Sequence, residues 1–133
     1  MALPLACELL AGSEPRLVLV RVEEDPAAVT EAERYLRTTA TEHASSVAGI
    51  DTQVLRGSPA EQIVRAIACY GADAIVMATH ARGEVGRLVL GSVADEVVAA
   101  SSVPVGVVHP GTTRISPIKS ILVPIDDTTA SRI

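Results

Sequence analysis

Residues 71–108, GADAIVMATHARGEVGRLVLGSVADEVVAASSVPVGVV, decide the fold. DAIVMA (73–78) and VPVGVV (103–108) are continuous apolar runs rather than alternating ones. Such runs suit strands covered on both faces, as in parallel sheets. Between them lies a polar, Gly-containing loop, then GSVADEVVAA, which predicts a helix with Ser92 as N-cap and Asp95 three residues on. Two buried strands joined through a helix make a βαβ unit.

Working outward, the same alternation continues. SPAEQIVRAIACYG (58–71) predicts a helix with a Ser58/Glu61 capping box, Pro59 at the first helical position and Gly71 just past the end. Its expected apolar face is Ile63, Val64, Ile67 and Ala68. TQVLR (52–56) and RLVLVRV (16–22) precede it as strands, the second expected to be fully buried. Over 26–48, Val29, Ala32, Leu36, Ala40, His43 and Val47 recur three and four apart, one face of a helix. His43 on that face reads as a packed or boundary histidine. The N-terminal MALPLACELLAG reads as part of a helix: it lacks a basic leader region and Glu8 interrupts its apolar run. HPGTTRISP (109–117) is a turn-rich linker, and SILVP (120–124) a further, weaker strand. Strands alternating with helices imply a single doubly wound α/β domain over 1–133.

Composition bounds the function. A chain of 133 residues can bury roughly 68% of its unfolded surface. The core must be aliphatic, because there is no Phe or Trp and only two Tyr. A net charge of −5 argues against a nucleic-acid partner, which needs clustered Lys and Arg or aromatic stacking platforms. No run approaches the ~20 apolar residues of a membrane span. Cys7 and Cys69 lack metal or redox spacing and are expected as reduced thiols among small core residues, with the cytoplasm as compartment.

The chemistry concentrates at Gly91–Ser92. A helix N-terminus offers unpaired N–H groups and the positive end of a dipole, so it is suited to an anion. Gly91 would let a ligand approach the backbone and the Ser92 hydroxyl would reach a phosphate. The alternative is that both residues only turn and cap the helix. No Gly-Lys-Ser/Thr follows, which excludes a Walker loop.

Residues 71–108 resemble the C-terminal signature of the universal stress protein family. That signature is a strand ending in VMG, a G-x-x-G loop, nine residues, G-S/T, a helix and CPVLVV. VLRGSPAEQIVRAIACYGADAIVM is similar to the family's third strand and helix, and RLVLVRV to its second strand. The resemblance implies a flavodoxin-like or Rossmann-like sandwich with five parallel strands in the order 3-2-1-4-5. It also implies an ATP or other adenine-nucleotide ligand, with or without Mg²⁺, a regulatory role in stress, and slow or no hydrolysis. Carried over by position, the phosphate and ribose roles fall on Ala78, Ala81, Gly91, Ser92 and Val93, with Arg82 in the loop. The chain departs from the pattern where ATHA (78–81) stands for G-x-x-G, although nine residues still separate Ala81 from Gly91. Gly83 and Gly86 are out of register, only four residues lying between Gly86 and Gly91. If position 78 or 81 needs φ > 0, Ala adds roughly 1–2 kcal/mol of strain; otherwise its methyl crowds the ligand. Arg82, Arg87 and His80 either contact phosphates in compensation or are solvated loop charges.

The adenine side is implied for Val22 and for Pro124, Ile125 and Asp126. The family's first strand reads like ILVPxD and stands at the N-terminus; here ILVPIDDTTASRI occupies 121–133. Segment 118–133 is therefore expected to supply that central strand. Two arrangements would place it there: a circularly permuted domain, or a span running from one tandem repeat into the next. Asp127 reads as a turn or N-cap residue. Against a phosphoreceiver-type Mg²⁺ pocket, Asp51 is expected ahead of its strand and VVHPG carries no Lys. No general base is positioned; Asp126 with a metal is the one candidate for hydrolysis. The resemblance further implies a homodimer, through the 103–108 edge or by exchange of 118–133. The competing function is a dimeric interaction module whose nucleotide site has lapsed at Ala78 and Ala81.

Overall fold

The computed structural model describes residues 2–9, 16–44, 49–78 and 91–108. The expectations for Val47, loop 79–90, linker 109–117 and segment 118–133 lie outside the described residues. In chain order the elements are α1 (Ala2–Leu9), β1 (Arg16–Glu23), a 3₁₀ turn (Pro26–Ala28), α2 (Val29–His43), β2 (Gly49–Arg56), α3 (Pro59–Tyr70), β3 (Ile75–Ala78), α4 (Ser92–Ala100) and β4 (Val105–Val108). β1 pairs in parallel with β2, from Arg16 opposite Gly49 to Glu23 opposite Arg56. β3 pairs in parallel with β4, from Ile75 opposite Val105 to Ala78 opposite Val108. Helix α2 packs on β1 and β2, α1 on β3 and β4, and α3 on β1, β2 and α4, which itself contacts β4.

Local chemistry explains the boundaries. Asp25 accepts a hydrogen bond from the Ala27 N–H at 2.9 Å, starting the turn that runs into α2. On α2, Ala32 and Leu36 are buried, with Ala40 and His43 half-buried beside them, the face expected from spacing. Gly71 ends α3 at φ 62°, ψ 42°, the left-handed region glycine favours. Gly57, at φ 125°, turns the chain out of β2, and its N–H donates to the Glu23 carbonyl at 3.3 Å.

Several expectations need correction. Pro59 opens α3, but the Ser58 side chain makes no cap bond. Ser58 is exposed, so water can satisfy the first-turn N–H groups. The buried stripe of α3 is Ala60 and Ile67 flanked by Ile63 and Val64, while Ala68 is exposed. Ala68 sits one residue, about 100°, round the helix from Ile67. Cys69, about 200° round, is also exposed, and Cys7 is half-buried. Both thiols are free, but neither is a core residue.

The strands expected to be fully buried are mostly half-buried, Val108 excepted. Among the described residues each strand is paired along one edge alone, so side chains screened by helices stay partly open along the other. β2 begins at Gly49, earlier than expected, and alternates exposed and half-buried positions through Val54. Asp51 thus lies within β2, where it accepts from Arg16 Nε at 2.8 Å. Both side chains are at least half exposed, so the pair contributes less than about 1 kcal/mol. The buried core of the described residues is aliphatic: Ala6, Ala32, Leu36, Ala60, Ile67, Ala94, Val97 and Val108.

Candidate functional site at the carboxyl ends of the strands

In each parallel pair the carboxyl ends lie together: Val22–Glu23 with Leu55–Arg56, and Met77–Ala78 with Val107–Val108. A helix joining two parallel strands returns the chain from the carboxyl end to the amino end. The N-terminus of α4, which links β3 to β4, therefore stands on the carboxyl side, where ligands of open α/β sheets bind.

The N-cap of α4 is Gly91 rather than Ser92. Gly91 is extended, at φ −68° and ψ 158°, and its carbonyl accepts from the Asp95 N–H at 3.0 Å. That bond begins the helix one residue earlier than the Ser92 pattern suggested, leaving Ser92 as an exposed first helical residue and Val93 half-buried. Among the described residues no side chain caps this end. Any residue adopts the backbone angles of Gly91, and a Cβ built there meets nothing within 4 Å among the described residues. Neither conformation nor packing against those residues demands glycine. What remains, among the described residues, is open space over the helix end, whose first-turn N–H groups suit an anion.

Ala78 is the last residue of β3, paired with Val108 and half-buried. An extended, ladder-paired alanine carries no positive-φ strain, so at position 78 only crowding by the methyl remains. Val22, paired with Leu55, is half-buried near the end of β1. His80, Ala81, Arg82, Arg87, Pro124, Ile125 and Asp126 lie outside the described residues.

Three neighbours escaped the sequence reading. Arg21 Nε donates to Glu23 Oε1 at 2.5 Å, and the Arg21 guanidinium lies 5.4 Å from the centre of the Tyr35 ring. Glu23, with a side chain only 15% exposed, is thereby held at the carboxyl end of β1. The i, i+2 spacing of Arg21 and Glu23 was visible as one face of a strand; the reach of Tyr35 from α2 was not.

An open groove of about 350 Å³ lies elsewhere, between α2 and β2, lined by Glu33, Leu36, Arg37, Thr52, Gln53 and Val54. Its rim carries the exposed Glu33–Arg37 pair at 3.9 Å. None of Val22, Ala78, Gly91, Ser92 or Val93 lines it, and its solvated walls make it a poorer candidate than the helix end.

The model of the universal stress protein family matches residues 7–109. A curated relative from Thermus aquaticus, the universal stress protein in the QAH/OAS sulfhydrylase 3′ region, is 47% identical over 55 residues, 41% of this chain and 40% of that protein. The match thus spans well under two thirds of that relative's length. Among solved structures, the universal stress protein from Archaeoglobus fulgidus superposes with a TM-score of 0.70 at 23% identity, over 80% of this chain and 85% of that one. A universal stress protein solved in complex with cAMP gives 0.64 at 25% identity, over 81% and 84%. The Archaeoglobus fulgidus protein in complex with dAMP gives 0.64 at 20% identity, over 80% and 83%. The two Archaeoglobus likenesses establish the α/β fold.

Proposed function

The chain belongs to the universal stress protein family, and from that premise we propose that it binds an adenine nucleotide at the carboxyl ends of its strands and acts as a regulatory sensor. The observation that carries this reading is Gly91, a glycine that its own backbone angles do not require, at a helix end that no side chain caps or crowds among the described residues. The complex of a 25%-identical relative with cAMP supports the choice of ligand. Phosphate oxygens are assigned to the N–H groups of Ser92 and Val93 and to the Ser92 hydroxyl, an arrangement worth roughly 0.3–1 kcal/mol through the dipole at an exposed end. Ala81 and Arg82 in the adjoining loop complete that side. Ala78 is assigned to the phosphate and ribose side, and the base to Val22, Pro124, Ile125 and Asp126, on a five-stranded sheet in the order 3-2-1-4-5. The ligand expected in cells is ATP, with or without Mg²⁺. The homodimer contact is assigned to the outer edge of β4, an apolar edge without a partner among the described residues.

One observation favours a second reading. The Ala78 methyl stands at the strand end where the family signature quoted above has glycine, which suits a lapsed site on an interaction module. Denaturing the pure protein and identifying released nucleotide, followed by calorimetry with AMP, cAMP, ADP and ATP with and without Mg²⁺, separates the two. The expected result is an adenine nucleotide either copurified or bound. Absence of binding in both measurements overturns the nucleotide reading in favour of the interaction module.

A further inference from the structure

β1 ends in Arg21, Val22 and Glu23, whose side chains alternate between the two faces of the sheet. Arg21 and Glu23 share the face that α2 covers, where the Arg21 guanidinium lies 5.4 Å from the centre of the Tyr35 ring. Arg21 Nε donates to Glu23 Oε1. The Glu23 main chain is held as well. Its carbonyl accepts from the Gly57 N–H at 3.3 Å, and two residues on Asp25 accepts from the Ala27 N–H to start the next turn. A carboxylate is thus fixed at the carboxyl end of β1 through both side chain and backbone.

Pairing with Arg21 does not by itself account for this arrangement. The Glu23 side chain is 15% exposed and that of Arg21 42%, so the acid is more covered than its cation. A solvated ion pair contributes little stability, whereas covering a carboxylate is costly. The bond to Arg21 uses one of roughly four acceptor positions on the carboxylate. The others call for a donor, because an ionised carboxylate only accepts. Val22, about 3.8 Å away at Cα, is assigned to the base, and the donor that an adenine ring offers is its 6-amino group, the ring nitrogens being acceptors.

We propose that Glu23 accepts a hydrogen bond from that 6-amino group and selects the adenine base, with Arg21 and Tyr35 as positioning residues that hold the carboxylate. This assignment rests on the adenine-nucleotide reading above. The same negative charge orients the ligand. It repels phosphate from the end of β1 and leaves it to the N-terminus of α4, which joins the other strand pair.

Calorimetry on the full chain provides the test. Whichever of AMP and ATP binds more tightly is compared with its purine riboside analogue, which carries hydrogen in place of the 6-amino group. The wild type is expected to prefer the 6-amino nucleotide. Glu23→Ala and Glu23→Met both remove the acceptor, the second at nearly unchanged side-chain length. Each should reduce that preference about tenfold, the range of a charge-assisted hydrogen bond. Glu23→Gln, whose amide oxygen still accepts, should keep part of it. Arg21→Ala should reduce it less than Glu23→Ala does, since Arg21 only positions the acid. A merely structural Glu23 would weaken both nucleotides alike. A preference unchanged in Glu23→Ala or Glu23→Met therefore overturns the proposal, even where affinity falls. If the wild type binds neither AMP nor ATP, the nucleotide reading itself fails and the role of Glu23 falls with it.

Discussion

At the scale of single residues, Gly91 separates ligand binding from folding. Asp is among the preferred N-cap residues and complements the helix dipole. Gly91→Asp should therefore leave stability unchanged or raise it by up to about 1 kcal/mol. The same carboxylate would fill the space over the helix end and repel a phosphate, lowering nucleotide affinity at least tenfold. Urea denaturation and calorimetry on one preparation read both effects. If stability falls and affinity holds, Gly91 is a turn residue and nothing more. The Gly91–Ser92 pair was legible in the sequence as a helix start, but which of the two is the cap was not. That depends on a single ψ angle, which the pattern of residue types does not encode.

Among the elements, α3 shows which signals survive folding. Pro at the first position and Gly at the end act through the backbone itself, and both appear as expected. The capping box depends on side-chain rotamers exposed to water, and the Ser58 bond does not form. Gly71 is a clean test, since a Cβ there meets nothing within 4 Å among the described residues and the cost is purely conformational. Gly71→Ala should destabilise the protein by roughly 1–2 kcal/mol, and Gly71→Asn by less, because Asn tolerates the left-handed region. A urea midpoint left unmoved by the alanine substitution would show that the end of α3 relaxes freely. Helix faces read from three-and-four spacing held for the described positions of α2 and, except at Ala68, for α3. The strands were found, but their degree of burial was misjudged, because continuous hydrophobicity reports covered faces and says nothing of edges.

For the whole molecule, β1 and β3 each keep one edge without a strand partner among the described residues. If 118–133 supplies the central strand expected from the sequence, deleting it exposes two apolar edges at once. The truncated chain should lose its cooperative urea transition or associate through the open edges. A truncated chain that is monomeric and unfolds cooperatively would overturn the expectation that 118–133 supplies the central strand. The effect is expected to be global, since β1 and β3 both lie against helices that also contact the other elements.

By itself the sequence determined the α/β class, the order of helices and strands among the described residues, their aliphatic core and the helix start at Gly91–Ser92. All of these follow from local periodicity and backbone preferences, which need only near neighbours to be expressed. Tertiary structure decided the pairing of β1 with β2 and of β3 with β4, the placement of Asp51 inside β2, the contact of Arg21 with Tyr35 beside its bond to Glu23, and the ordinary backbone angles of Gly91. Each of these depends on groups brought together from distant parts of the chain, or on a torsion angle that several residue types share. Residue pattern alone carries no information on either.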